Sequence, residues 1–140
     1  MIALIGDEVK LLYSDKKSGL TATMELDEEK SALLLNRKIG SELEGSLFGL
    51  TGYTLKITGG SDSSGFPLDR SIAQQGKLRV LRVQRRKGRE PARRRLMVRG
   101  NLIGADTKQV SAVITAYGSR PLEEIFPKKA AAEAKKEDSK

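Results

Sequence analysis

Alternation of apolar and polar residues predicts short β-strands along most of this chain. Between residues 20 and 26 every second side chain is apolar, which is the period of a strand with one buried face. The same alternation predicts a strand over 53–58, and short apolar runs predict others at 1–5, 9–13 and 110–117. We therefore expect a mainly β fold.

One segment departs from this pattern and predicts a single short helix near residues 28–38. Asp27 can cap its N-terminus, and two glutamates follow in the first turn, where the helix dipole favours anions. Residues 32–35 supply an apolar face, and Gly40 is a suitable end. A helix of about three turns is expected here.

Glycine-rich corners separate the predicted strands in the first half of the chain. Six glycines fall between residues 40 and 60. Glycine at this frequency breaks helices and permits tight turns, and short strands with such corners are typical of a small barrel or a strongly bent sheet. The sequence therefore predicts one small β-barrel-like domain over residues 1–120. In the extension 121–140, one helical turn is expected at 122–126, and the rest should be solvated.

The segment Ile57–Leu68, ITGGSDSSGFPL, is the most informative turn in the sequence. Gly59 and Gly60 are expected to end the preceding strand, and Asp62 can hydrogen-bond its own backbone in the turn. Gly65 then gives the chain conformational freedom. Successive N–H groups in such a turn can also form an anion-binding nest. Both interpretations, a structural corner and a phosphate nest, stay open at this point.

The absence of two residue types restricts the chemistry of the chain. It has no Cys and no His, which excludes disulfides, thiolate metal sites, imidazole catalysis and His-based metal sites. No apolar run approaches the roughly 20 residues of a membrane span. The first residues also lack the basic segment of a signal peptide. We expect a soluble, cytoplasmic protein without metal or cofactor.

Positive charge is concentrated in the segment Arg70–Arg99, which we call the basic arm. It holds twelve basic residues and one acid, Glu90, within a chain whose net charge is +8. Ten of the twelve are arginines, whose planar guanidinium binds phosphate in a bidentate manner, so nucleic acid is the first candidate partner. A solvated or disordered arm is the alternative, but such a surface would mix both signs. The candidate RNA-binding residues are Arg70, Lys77, Arg79, Arg82, Arg85, Arg86, Lys87, Arg89, Arg93, Arg94, Arg95 and Arg99.

Within the basic arm, apolar residues and arginines alternate irregularly over 77–83. A period near three fits neither a regular strand nor a helix, so a bulged or partner-ordered segment is expected. Residues 84–95 contain almost no apolar anchor. They are expected to be mobile in the free protein and ordered against RNA.

Three stretches carry a resemblance to a known family. The string EGSLFGLTGYTLKITGGSDSSGFPL, residues 44–68, resembles the signature of the small-subunit ribosomal protein S-six-e family of archaea and eukaryotes. The preceding LDEEKSALLLNRKIGSELEG is similar to that family's helix and following turn, and VRGNLI, residues 98–103, resembles its closing element. The chain departs from the family at Leu68, where methionine is usual, and in its shorter basic segment. The resemblance covers most of residues 1–115 and is to the archaeal-type form.

The resemblance implies a structural constituent of the small ribosomal subunit that binds and stabilises folded ribosomal RNA. Its expected partners are small-subunit ribosomal RNA and neighbouring ribosomal proteins, with no membrane and no small-molecule substrate. A free RNA-binding module or RNA chaperone is the alternative, although such modules usually present aromatics for base stacking and the basic arm has none. An enzyme acting on phosphorylated substrates is disfavoured, because the chain has no His, no Cys and no nucleotide-binding lysine motif.

Overall fold

The structure is a computed structural model that describes residues 8–121 and residue 126. Strands dominate this part of the chain, so the predicted mainly β class is confirmed, including the strands expected at 9–13 and 110–117. The strand predicted at 1–5, the helical turn at 122–126 and the solvated tail fall outside the described residues, apart from Phe126. The elements are β1 Val9–Ser14, β2 Thr21–Leu26, α1 Glu28–Ala32, β3 Glu42–Glu44, a 3₁₀ helix Gly45–Phe48, β4 Thr54–Asp62, β5 Lys77–Gln84, β6 Ala92–Arg99 and β7 Thr107–Ala116.

Five of these strands form one mixed sheet in the order β2-β1-β7-β4-β3. The central pair, β1 and β7, is parallel, and the other neighbours are antiparallel. Three register shifts interrupt the pairing of β4 with β7. Such bulges bend a sheet and increase its twist. Within the described residues the edge strands β2 and β3 do not pair with each other, so the sheet is not a closed barrel.

The hydrophobic core lies on one side of this sheet. Alternate residues of β1, β4 and β7 point into it, as the period-2 pattern predicts. The segment that connects β2 to β4 covers the buried face, together with Phe126, whose ring lies 5.3 Å from that of Tyr13. The largest fully buried apolar side chains are Tyr53, Phe48, Phe126, Leu11, Leu34, Leu55, Ile57, Ile103 and Val110.

The helix is shorter than the sequence predicts. α1 ends at Ala32 instead of continuing to residue 38, and the Asp27 side chain makes no capping hydrogen bond. The physical reason is a competing backbone pairing. Asn36 N–H donates to the carbonyl of Ile103, and Ile103 N–H donates to the carbonyl of Arg37, which draws the chain out of the helical path. The apolar run that suggested more helical turns instead buries Leu34 in the core.

Strands β5 and β6 form a separate two-stranded antiparallel sheet, which we call the ribbon. Their register is unbroken over eight pairs, from Lys77 opposite Arg99 to Gln84 opposite Ala92. The predicted bulge in 77–83 was therefore wrong, and residues 92–95 belong to a regular strand. The period near three arises because the apolar residues change sides of β5 between Val80 and Leu81.

The buried carboxylate of Asp15 lies at the end of the sheet where β7 finishes. It accepts hydrogen bonds from the hydroxyls of Ser18, at 2.6 Å, and of Tyr117. These two bonds, with two from backbone N–H groups, hold the pKa of Asp15 well below its ordinary value despite burial. In return, the hydrogen bond to Asp15 raises the pKa of Tyr117.

Candidate nucleic-acid interface

The register of the ribbon sorts its side chains onto two faces. In an antiparallel pair, residues directly opposite each other share a face, and successive residues alternate between faces. One face, which we call the cationic face, carries Lys77, Arg79, Leu81, Val83, Arg93, Arg95, Met97 and Arg99. The opposite face carries Leu78, Val80, Arg82, Gln84, Ala92, Arg94, Leu96 and Val98. Five of the seven basic residues of the two strands therefore share one face.

The distal part of the ribbon is exposed and strongly positive. Arg79, Arg93 and Arg95 are exposed on the cationic face, and none of them is ion-paired with another described residue. Gly88, at a φ of 76°, belongs to the turn that joins β5 to β6. The same loop exposes four further candidate residues: Arg85, Arg86, Lys87 and Arg89. Repulsion at this density opposes the compact state unless a polyanion neutralises it.

Arg82 and Arg94 lie directly opposite each other on the other face of the ribbon. Like charges in this position destabilise a strand pair. The guanidinium of Arg82 is compensated by the carboxylate of Asp69, with which it forms an ion pair, and lies 3.0 Å from the hydroxyl of Ser71. This contact places the segment before β5 against the opposite face. Arg70 lies in the same segment, is exposed, and is not part of the ribbon.

At its root the ribbon is attached to the sheet by a buried charge cluster. The Asp62 side chain is completely buried, and its Oδ2 lies 3.5 Å from both Lys77 Nζ and Arg99 Nη1. Arg99 Nη2 lies 3.3 Å from Asp106 Oδ2, and the Arg99 side chain is only 6% exposed. Backbone pairing supports the attachment, because the Arg99 N–H donates to the Pro67 carbonyl and the Arg99 carbonyl accepts from the Asp69 N–H. Arg99 is thus held inside the root of the ribbon, and Lys77, which is 39% exposed, pairs with the same carboxylate.

The other oxygen of Asp62 organises the turn that follows β4. Its Oδ1 accepts the N–H groups of Ser64, at 3.0 Å, and of Phe66, at 2.8 Å. The remaining N–H groups between residues 62 and 66 donate to backbone carbonyls, so each one is already used. Gly65 adopts a φ of 83°, a conformation that other residues rarely reach. This hydrogen bonding supports the structural corner and leaves no N–H of the turn for a phosphate.

Burial and hydrogen bonding act in opposite directions on the acidity of Asp62. Burial favours the neutral form and would raise the pKa. The N–H groups of Phe66 and Ser64 and the charges of Lys77 and Arg99 outweigh burial, so the pKa of Asp62 lies below its ordinary value. The carboxylate is therefore ionised at neutral pH and can neutralise the root of the ribbon.

Gly59 and Gly60 lie inside β4 instead of ending it, because the strand continues to Asp62. Neither glycine has a positive φ. A Cβ at Gly60 would lie 2.3 Å from the backbone carbonyl oxygen of Gln109 on β7, whereas a Cβ at Gly59 would meet nothing within 4 Å. Gly60 is thus required for the close approach of two strands, and Gly59 is not.

Neither a metal-binding cluster nor a membrane-spanning helix occurs in the part of the chain that the structure describes. Residues 8–121 and 126 contain no group of three or more acidic, His or Cys side chains placed to hold a metal ion. None of the helices within the same ranges has the length and apolar character required to span a bilayer.

Comparison with known proteins decides the family of the chain. The model of the family described as Ribosomal protein S6e matches residues 9–127. The small ribosomal subunit protein eS6 of Picrophilus torridus is 43% identical over 115 residues, which are 81% of this chain and 91% of that protein. The chain belongs to the ribosomal protein S6e family.

Other members of the family show the same extent of similarity. The small ribosomal subunit protein eS6 of Thermoplasma acidophilum is 40% identical over 115 residues, covering 81% of this chain and 93% of that protein. That of Methanothermobacter thermautotrophicus is 40% identical over 120 residues, covering 84% of this chain and 94% of that protein. The resemblance inferred from residues 44–68 is therefore confirmed. The S6e family is a structural, non-enzymatic component of the ribosome, which confirms the prediction that the chain is not an enzyme.

The structure separates the candidate RNA-binding residues of this S6e family member into groups that the sequence treats as one. Nine of the twelve lie on the ribbon or in its loop, and one of these nine, Arg82, is ion-paired with Asp69. Lys77 and Arg99 form the root of the ribbon. Arg70 lies in the segment before β5. Sequence reasoning missed the acidic partners Asp69 and Asp106, which lie in separate segments of the chain. It also missed the exposure of Leu81 and Val83, since only the strand register shows which apolar residues face outward.

Proposed function

We propose that this protein is a structural constituent of the small ribosomal subunit and that its ribbon binds folded ribosomal RNA through the phosphate backbone. The observation that carries the proposal is the set of exposed arginines on the distal ribbon without acidic partners among the described residues. Two further findings support the proposal: the chain belongs to a family of ribosomal proteins, and its relatives are named as small-subunit proteins.

An isolated two-stranded ribbon is marginally stable in water. This ribbon adds repulsion among its exposed arginines, three of which, Arg93, Arg94 and Arg95, are consecutive on β6. Phosphate groups along RNA would neutralise that charge and stabilise the ribbon, and arginine binds phosphate with a bidentate geometry that lysine cannot match. The contact residues that we propose are Arg79, Arg82, Arg85, Arg86, Lys87, Arg89, Arg93, Arg94 and Arg95. Arg70 extends the same surface, and Lys77 and Arg99 orient the ribbon from its root.

The salt dependence of binding tests this proposal. Neutralising Arg93, Arg94 and Arg95 to Gln should reduce the slope of log affinity against log salt by a little under one unit per lost phosphate contact. The binding partner in the assay is a transcript of archaeal small-subunit ribosomal RNA. The matched control neutralises three exposed lysines outside the ribbon, Lys16, Lys38 and Lys56, and its slope should stay close to that of the unmodified protein.

A ribosomal role also requires preference for one folded RNA. At about 0.2 M salt the protein should bind the ribosomal transcript more tightly than an unrelated duplex, since shape and single-stranded features add to the phosphate contacts. It should also sediment with small subunits after a high-salt wash. Equal affinity for both RNAs, with a shared salt slope, would instead favour a free RNA-binding module or RNA chaperone.

A further inference from the structure

Two apolar side chains stand out on the cationic face of the ribbon. Leu81 and Val83 are each 57% exposed, more than any other large apolar side chain in the described residues. They lie two residues apart on β5 and therefore point the same way. Single exposed apolar residues are common on protein surfaces and need no explanation. A pair of them on the most strongly charged element of the molecule does need an explanation.

The pair is framed by arginines. Leu81 lies opposite Arg95, Val83 lies opposite Arg93, and Arg79 is the neighbour of Leu81 on the same face of β5. Opposite side chains in such a ladder have Cβ atoms about 5 Å apart. The cationic face therefore presents an apolar centre with positive charge at one end, from Arg79, and along one side, from Arg93 and Arg95.

We propose that Leu81 and Val83 contact the sugar and base surface of the bound RNA while the surrounding arginines contact its phosphates. This inference rests on the proposed function and names the face and the kind of contact that it uses. The shallow minor groove of an RNA helix presents riboses and base edges between two rows of phosphates, and an unpaired loop presents bases beside a phosphate backbone. Either surface matches an apolar centre with a cationic rim.

The opposite face of the ribbon is not equivalent. The ion pair of Arg82 with Asp69 holds the segment before β5 against it, and Leu78 and Val80 are half-buried there. Leu96, the most exposed large apolar residue of that face, is 39% exposed. RNA that approaches the ribbon along its length therefore has free access to the cationic face and restricted access to the other.

The two kinds of contact differ in their response to salt. Phosphate contacts weaken as salt rises because counterions are released on binding, whereas apolar contacts are not screened. Replacing Leu81 and Val83 together by Thr places a β-branched side chain with high strand propensity at both positions and removes apolar surface. We expect this double variant to bind the ribosomal transcript about tenfold more weakly at every salt concentration, with an unchanged slope.

The matched control is Leu96→Thr on the opposite face, which should change the affinity less than about twofold. A second measurement needs no variant: in the unmodified protein, the methyl resonances of Leu81 and Val83 should shift on titration with the transcript, and those of Leu96 should not. This measurement decides the question even if the double variant loses ribbon structure.

The possible outcomes distinguish failure of this inference from failure of the proposed function. If the Arg93–Arg95 variant lowers the salt slope while the Leu81 and Val83 variant binds normally and their methyl resonances do not shift, the inference is overturned and the proposed function stands. If the arginine variant leaves the slope unchanged as well, the proposed function fails. If the double variant binds the transcript normally but loses a protein neighbour in reconstituted small subunits, the apolar pair contacts protein and not RNA.

Discussion

Replacing Asp62 should weaken both the turn after β4 and the root of the ribbon. Asp62→Asn keeps an oxygen that can accept the Ser64 and Phe66 N–H groups, removes the negative charge, and places an NH2 group where Oδ2 faces Lys77 and Arg99. Asp62→Ala removes the charge and both hydrogen bonds. Comparing the two variants therefore divides the role of this carboxylate into its electrostatic part and its turn-forming part.

The magnitude follows from what each variant leaves behind. Without the Asp62 charge, the buried Arg99 guanidinium retains only Asp106 as an acidic partner among the described residues, and the Asp106 side chain is 69% exposed. Breaking a buried ion pair by removing one partner costs about 3–5 kcal/mol, and the 3.5 Å separation at Asp62 places the loss near the lower limit. We expect about 3 kcal/mol for Asp62→Asn. The lost hydrogen bonds to a charged acceptor should bring Asp62→Ala to about 5 kcal/mol.

Thermal or urea unfolding measures these values, and Asp106→Asn is the control. That variant removes the exposed partner of Arg99 and should cost less than about 1 kcal/mol. The expected order of free energies of unfolding is therefore Asp106→Asn above Asp62→Asn above Asp62→Ala. If Asp62→Asn unfolds at the same denaturant concentration as Asp106→Asn, the buried charge cluster does not stabilise the root of the ribbon.

Three further substitutions and one pH profile test the remaining contacts. Gly60→Ala should cost about 2 kcal/mol or more because its Cβ would meet a β7 carbonyl oxygen at 2.3 Å, whereas Gly59→Ala should be nearly neutral in the same unfolding assay. Tyr117→Phe removes a hydrogen bond to the buried Asp15 carboxylate and should lower the free energy of unfolding by about 2 kcal/mol. The pKa values of Asp15 and Asp62 are lowered on folding, so their stabilisation is complete above the unfolded carboxyl pKa of about 4 and is lost as pH falls through the lower folded values. Acid titration of stability should therefore be less steep in Asp62→Asn, and an unchanged acid limb would contradict the assignment.

The local pattern of apolar and polar residues was sufficient to predict the strands but not to predict their pairing partners. Alternation of apolar residues placed β1 and β2 within one position and β7 within three, since burial of one face is imposed on each strand separately. The length of α1 was mispredicted because the chain around Asn36 pairs with Ile103, which is distant in sequence. Helix propensity depends on the local sequence and cannot predict a competing backbone pairing that forms only in the tertiary fold.

For the candidate site, too, the sequence was sufficient for some features and the tertiary structure was needed for others. Composition predicted the basic arm and its partner class, because charge density is a property of the sequence alone. Which arginines are free depends on acids elsewhere: Asp62 and Asp106 neutralise Arg99, and Asp69 neutralises Arg82. These acids lie in three separate stretches. The sequence could identify Asp62 as a turn residue, but its second role appears only once β5 and β6 are attached beside it.

The parallel pairing of β1 with β7 has a consequence for the order in which the protein folds during synthesis. β1 ends at Ser14 and its partner begins at Thr107, so the centre of the sheet joins the two ends of the described region. Contacts of such high sequence separation slow folding, whereas the antiparallel pairs β1–β2, β3–β4 and β5–β6 can close locally. A nascent chain shorter than about the end of β7 therefore carries these three local strand pairs without the strand that joins β1 to β4. We expect completion of the core to coincide with emergence of β7 from the ribosomal exit tunnel, and until then the apolar faces of β1 and β4 remain available to chaperones.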